Sequence, residues 1–420
     1  MQSILFIIPW LPYPLSSGGH QALFNGIASV AGDYDVYIAY NARDNEEYHK
    51  NAEEFLQLIP GVHLLPMMEE ALAIFPWWYQ LASKVKHATK KTIGIKESSS
   101  QVICNENKMC SWWIKTVSPL NKNWLEHIDR ICSEHHFDII QVEMPWMVSQ
   151  ILTLPKDSKK IFVHHELGFV KRELELKAYK NCQYVQACKS FADFAEIGLL
   201  NKYDAVVTLS TIDKEKLIDH GVTVPVYNSI ATINKPIDSR LKIGDGKRLS
   251  FVGPKSSGPN YSGLIWFLEN CWYRLLEVDN SYRLDIIGNW DKESVEEFTK
   301  KYPNITFLGF VEDLGAAIKG TVMIVPITVG SGIRMKILEA SALGVPFVST
   351  SVGAEGIPVE DGVNCYIADT PELFVDRLLK LRDTAIQKRF VENARKMVES
   401  NYSIKALREN RLAIYQELLS

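Results

Sequence analysis

Nowhere in its 420 residues does the chain carry the ~20 consecutive apolar residues that a membrane-spanning helix needs. The longest apolar run, residues 4–15, is broken by three prolines. No Lys or Arg precedes it and no small-residue cleavage site follows it, so it reads as a buried first strand and not as a secretion signal. Cysteine is sparse and scattered, with seven residues at 104, 110, 132, 182, 188, 271 and 365 and no C-x-x-C pair. That spacing argues against a disulfide framework and a zinc site, and points to free thiols in a reducing cytoplasm. There is no low-complexity tract and no internal repeat. Neither sign of charge dominates, since 46 Lys and Arg face 50 Asp and Glu for a net charge of -4. A globally basic nucleic-acid binder is excluded on that balance, and no nucleic-acid partner is expected. A hydrophobic fraction of 46% is too high for a mainly disordered chain.

What is present is an alternation of short β-rich apolar runs with longer helical patterns, the signature of parallel α/β domains. Strands are expected at 3–9, 35–40, 62–67, 138–143, 159–165, 205–210 and 224–229. A second set is expected at 248–253, 282–288, 304–309, 322–327, 346–350 and 364–369. Residues 233–246 separate the sets; they are polar, without a clear period, and hold one Pro and two Gly, as a linker would. Helices are expected at 333–343, 371–400 and 404–419. The length fits two or three domains, each with its own core; one linker between two similar halves points to two, and a cleft between them is a common place for a ligand.

The densest motif runs from Val329 through Gly330, Ser331, Gly332, Ile333, Arg334 and Lys336 to Glu339, and stops at Gly344 and Pro346. A glycine loop that opens a helix after a parallel strand is an anion site, because free N–H groups and the positive end of the helix dipole meet there. Arg334 and Lys336 in the expected first turn oppose that dipole, so a negative ligand such as a diphosphate would neutralise them; two solvated charges are the bland alternative. Two better-known phosphate loops are excluded. Met335 occupies the place of the third glycine of a dinucleotide fingerprint, and Gly253–Gly258 has Walker spacing but is followed by Pro259-Asn260 instead of Lys-Ser/Thr.

Smaller signals surround this one. Gly18-Gly19 follows the first strand and opens a helix, as a phosphate-facing loop or as a tight turn. His164-His165-Glu166 ends a strand at the edge facing the cleft, where an imidazole oriented by the adjacent Glu166 suits proton chemistry near neutral pH. Asp33-x-Asp35 precedes its strand and reads as strand punctuation, not as a metal motif. Residues 75–96 hold Trp77 and Trp78 and five lysines, among them Lys84, Lys86, Lys90 and Lys91, with no acid. This suits contact with an anionic membrane, extended by Trp112, Trp113 and Trp124. An acceptor-side insertion with tryptophans in the core or on sugar rings is the other reading.

In the order and spacing of its motifs the second half resembles the retaining nucleotide-sugar glycosyltransferases of family 4. The matching pieces are Leu249–Gly253, Ser257–Asn260 with Gly263–Phe267, Leu284–Gly288, Asn304–Phe310, Gly330–Pro346 and Ser349–Gly356. The first half is similar more weakly, through Pro12-x-Pro14 with Gly18-Gly19 and through His164-His165-Glu166. The resemblance implies the GT-B fold, an α/β architecture of two Rossmann-like doubly wound parallel-sheet domains facing a cleft. Residues 1–235 would bind the acceptor and 236–402 the nucleotide-sugar, and a helix at 403–420 would pack back on the first domain. It implies Glu339 on the ribose hydroxyls, since a carboxylate accepts two hydrogen bonds from a vicinal diol. Ser331 stands where the family has its first motif glutamate, so the sugar contacts do not carry over, and Lys255 is the one cation after the first strand of the second half. The site then consists of His165, Arg334 and Lys336 for catalysis, with Gly18, Gly19, Lys255, Gly330, Ser331, Gly332, Ile333 and Glu339 for the donor. No metal or other cofactor is expected. The expected partners are a nucleoside-diphosphate-sugar donor and a glycan or lipid-linked acceptor, with a cytoplasmic location and peripheral contact with the inner membrane face. An epimerase or hydrolase of the same fold, or a non-catalytic sugar- or membrane-binding protein, is the alternative.

Overall fold

The computed structural model describes residues 1–15, 18–69, 106–176, 182–230, 232, 243–330 and 332–420. Seven strands form the first sheet: β1 (Ser3–Trp10), β2 (Asp35–Arg43), β3 (His63–Glu69), β4 (Ile139–Glu143), β5 (Lys159–His164), β6 (Ala205–Thr208) and β7 (Val226–Asn228). Six form the second: β8 (Arg248–Val252), β9 (Arg283–Ile287), β10 (Ile305–Gly309), β11 (Val322–Val325), β12 (Phe347–Ser349) and β13 (Tyr366–Ile367). Every pairing in both is parallel. The orders are β3-β2-β1-β4-β5-β6-β7 and β10-β9-β8-β11-β12-β13. Each sheet therefore reverses its direction of winding next to its own first strand, between β1 and β4 and between β8 and β11. Ligands of such sheets sit beyond the carboxyl ends of the strands at that reversal.

The central strands are apolar on both faces because helices cover both, and β4, β6 and β11 are buried along their whole length. Helix Gly18–Ala28 follows β1 and helix Met335–Leu343 follows β11. The long helical stretch expected at 371–400 is two helices, Pro371–Lys380 and Thr384–Asn401, because Asp383 caps the second by accepting from the Ala385 amide. The last helix, Ile404–Leu419, places Ile414, Tyr415 and Leu418 in the core of the first sheet, and Arg408 holds Asp33 through two hydrogen bonds of 2.9 and 2.6 Å. Asp33 thus anchors this helix, while Asp35 opens β2.

The tryptophans of the first half correct one expectation. Trp113 and Trp124 do not extend a surface; both are buried in the first core. Their indole N–H groups donate to Glu175 (2.6 Å) and Gln150 (2.9 Å), and Trp112 alone of the three is exposed. Trp77, Trp78, Lys84, Lys86, Lys90 and Lys91 lie outside the described residues, as do Ser331 and residues 233–242 of the linker. Trp124→Ala is expected to cost about 3–5 kcal/mol, through a large cavity and the buried Gln150 left without its donor. Urea unfolding followed by fluorescence checks this, and an unchanged midpoint would contradict it.

Candidate active site between the two domains

Beyond β11 the chain reaches Gly330 and Gly332, both with positive φ (134° and 81°). A Cβ at position 330 would lie 2.7 Å from Arg334 Nη2 and 3.2 Å from Pro259 Cγ, so the missing side chain makes room for the guanidinium. Arg334 Nη1 in turn donates to the Gly332 carbonyl at 2.8 Å. Helix Met335–Leu343 begins two residues later than expected. Arg334 has non-helical backbone angles and occupies the cap position instead of the first turn. Burial disfavours the charged form of Arg334, while Glu355, Glu166 and Asp213 around it act the other way.

Lys336, in the first turn, donates to Asn260 Oδ1 at 2.7 Å and sits 5.0 Å from the centre of the Phe251 ring. Burial pushes its ammonium down to about 7, Arg334 adds to the shift, and Glu339 opposes it. Two cations are thus held in a poorly solvated place beside the amides of a helix N-terminus. An anion bound there would restore what burial has removed.

The first domain supplies the opposite wall. Gly18, at the start of its helix, packs so closely that a Cβ would stand 3.0 Å from Met335 Cγ. Ile333 and Met335 pack against the cores of both domains. Gln21 Nε2 donates across the cleft to Glu339 Oε1 at 3.1 Å, and Glu339 is buried. A Cβ on Gly332 would come within 3.2 Å of the His165 carbonyl, which brings the β5 edge against the glycine loop. Gly18, Gly332, Ile333, Arg334, Lys336, Glu339 and His165 therefore converge at the two sheet reversals, with Gly19 in the first turn of the Gly18–Ala28 helix.

Lys255 is engaged by the start of the helix Lys292–Lys301. Its ammonium meets Asp291 Oδ2 at 2.7 Å and donates to Ser294 Oγ at 2.6 Å, and the Asp291 hydrogen bond raises its pKa. His164 is buried and bonds Glu196 at 2.9 Å. Burial alone would raise the Glu196 carboxyl, but His164 and Arg172 hold it down to about 2. The expected orienter of His165 is corrected. Glu166 turns to Lys171 (3.2 Å), and His165 Nε2 instead meets Glu143 Oε2 at 2.7 Å. Glu143 and Gln21 were not picked out by sequence reasoning. The available signal for Glu143 was a Gln and a Glu two apart in an otherwise apolar central strand.

Residues 246–384 match the family model described as Glycosyl transferases group 1. Over the whole chain the fold is similar to solved structures of TarM (12% identity, 99% of each chain, TM-score 0.70) and sucrose-phosphate synthase of Thermosynechococcus elongatus (13%, 99% of each chain, TM-score 0.68). Anabaena HepE, solved with UDP, aligns at 13% identity over 99% of this chain and 100% of its own, with a TM-score of 0.64. The architecture is GT-B. A Klebsiella pneumoniae protein described as an uncharacterized 44.6 kDa protein in the cps region is 28% identical over 419 residues, covering 96% of this chain and 97% of that protein. The group 1 match and the GT-B fold together support a glycosyltransferase.

Proposed function

We propose that this chain is a retaining family 4 glycosyltransferase that moves a sugar from a nucleoside-diphosphate-sugar to a hydroxyl of a glycan or lipid-linked acceptor. The observation that carries this is the meeting of Arg334, Lys336 and a helix N-terminus with Glu339 and His165 at the two sheet reversals. The cps-region relative supports a place in polysaccharide assembly, and UDP in a structural neighbour supports a nucleotide donor. On this reading the C1–O bond to the diphosphate breaks and a C1–O bond to the acceptor forms on the same face. The acceptor proton passes to the departing phosphate oxygen. Arg334, Lys336 and the Met335–Leu343 amides neutralise the leaving group, and Glu339 holds the ribose.

A panel of nucleotide-sugars with glycan acceptors, read by diphosphate release and by the anomeric configuration of the product, tests the proposal. Acceptor-dependent release with retention supports it. Turnover of donor without acceptor would instead indicate an epimerase or hydrolase, and no release with any donor would indicate a binding protein.

Lys336 adds a pH signature. In the free protein its pKa lies near 7, below its ordinary 10.5, so much of it is neutral at pH 8. A bound diphosphate favours the charged form, so binding of UDP at pH 8 is expected to take up a proton and to weaken as pH rises from 7. Calorimetry in two buffers of different ionisation enthalpy measures that uptake. The linkage to folding has the opposite slope. The unfolded chain holds more protons than the folded one between the two pKa values, so ligand-free stability gains as pH rises through that window.

A further inference from the structure

The chemistry of His165 is set by a buried polar chain that starts on the last helix. Gln141 and Glu143 project from the same face of β4, two residues apart on a central strand. Glu143 is almost fully buried. Its Oε2 stands 2.7 Å from His165 Nε2, within hydrogen-bond reach, and its Oε1 accepts from Gln141 Nε2 at 2.6 Å. The Gln141 oxygen accepts from the Tyr415 hydroxyl at 2.5 Å, and Arg411 Nη1 stands 3.5 Å from it. Tyr415 and Arg411 are buried too, and both belong to Ile404–Leu419. Gly26 of the Gly18–Ala28 helix closes the face; a Cβ there would stand 4.0 Å from Glu143 Oε1. Met144, directly after Glu143, has φ of 80°, a left-handed conformation that a non-glycine residue keeps only where its surroundings enforce it.

A buried carboxylate needs compensation. Here a guanidinium and a carboxylate lie on either side of one amide, whose oxygen faces the Tyr415–Arg411 end and whose nitrogen donates to the anion. Among the described residues nearby, Glu166 bonds Lys171, and the loop that carries Arg334 approaches the His165 carbonyl at Gly332. We infer that Glu143 is a positioning residue for His165. It fixes the imidazole with its proton on Nε2 and the lone pair on Nδ1, and the C-terminal helix, through Tyr415 and Gln141, fixes Glu143. A structural element belonging to the last 17 residues of the chain thereby sets the state of a side chain in the cleft.

The catalytic consequence rests on the function proposed above, but the positioning itself does not, and the two are tested separately. In the ligand-free protein at fixed pH, the ring nitrogen chemical shifts of His165, assigned with a His165→Asn variant, read which nitrogen carries the proton. The wild type is expected to show the proton on Nε2, and Glu143→Gln to shift the population toward the Nδ1–H tautomer. Tyr415→Phe is expected to move it the same way by less, and Glu143→Asp to restore part of the loss. Unmoved ring nitrogen shifts in Glu143→Gln would overturn the inference, and the milder Tyr415→Phe arm serves if Glu143→Gln fails to fold. With a donor from the panel, Glu143→Gln should lower kcat by about 100-fold, the scale of an ångström's misplacement within the site, with donor KM little changed. It should add nothing in a His165→Ala background; an additive loss would assign Glu143 a merely structural role.

Discussion

Replacing Arg334 by alanine is expected to reduce sugar transfer by well over ~10-fold, the scale of one charge-assisted hydrogen bond to a leaving diphosphate. Arg334 is not a solvated charge whose loss its neighbours could cover. Its guanidinium is desolvated, tied to the Gly332 carbonyl, and fitted into the space left open at Gly330. Much of the cost of ordering the side chain has therefore been met before a ligand arrives, which is what makes it effective as negative charge develops. Gly330→Ala should act in the same direction without touching the charge, since the new methyl would stand 2.7 Å from Nη2 and crowd the guanidinium. Steady-state rates on the identified donor check both variants, and turnover close to wild type in Arg334→Ala would sink the site assignment.

Glu339→Gln is expected to lower transfer by a similar factor, well over ~10-fold, but mainly through donor KM. A vicinal diol needs two acceptors on one group, and an amide offers one acceptor and one donor. In the structure Glu339 Oε1 already receives the Gln21 amide from the other domain, so the carboxylate faces the cleft without being solvated away. Gln21→Ala should cost less than Glu339→Gln, because it removes an orienting contact and leaves the acceptor. Unchanged donor KM in Glu339→Gln would remove Glu339 from the ribose.

The strands were legible in the sequence because parallel strands covered on both faces are short apolar runs bounded by turn residues, and that pattern is local. All thirteen expected runs coincide with a strand, most of them a residue or two shorter than read. The Gly18 and Gly330 loops were legible for the same reason, since each sits within one strand–loop–helix unit. What escaped lies between distant positions. His165 and Glu143 are 22 residues apart, and Gln141 and Tyr415 are 274 apart, so adjacency in the chain pointed wrongly to Glu166. Trp113 and Trp124 were misread because composition alone does not say which face of a helix meets the core. The helix start at Met335 was misjudged because two glycines with positive φ delay the helical turn in a way residue type does not announce.

The return of Ile404–Leu419 to the first domain has a mechanical consequence. The chain crosses between the domains twice, once between β7 and β8 and once near Tyr402–Ser403. A body attached at one point can swivel in any direction, and a second attachment removes part of that freedom. The second crossing leads directly into the helix that carries Tyr415, so the segment leaving the second domain is clamped to β4 of the first through Gln141.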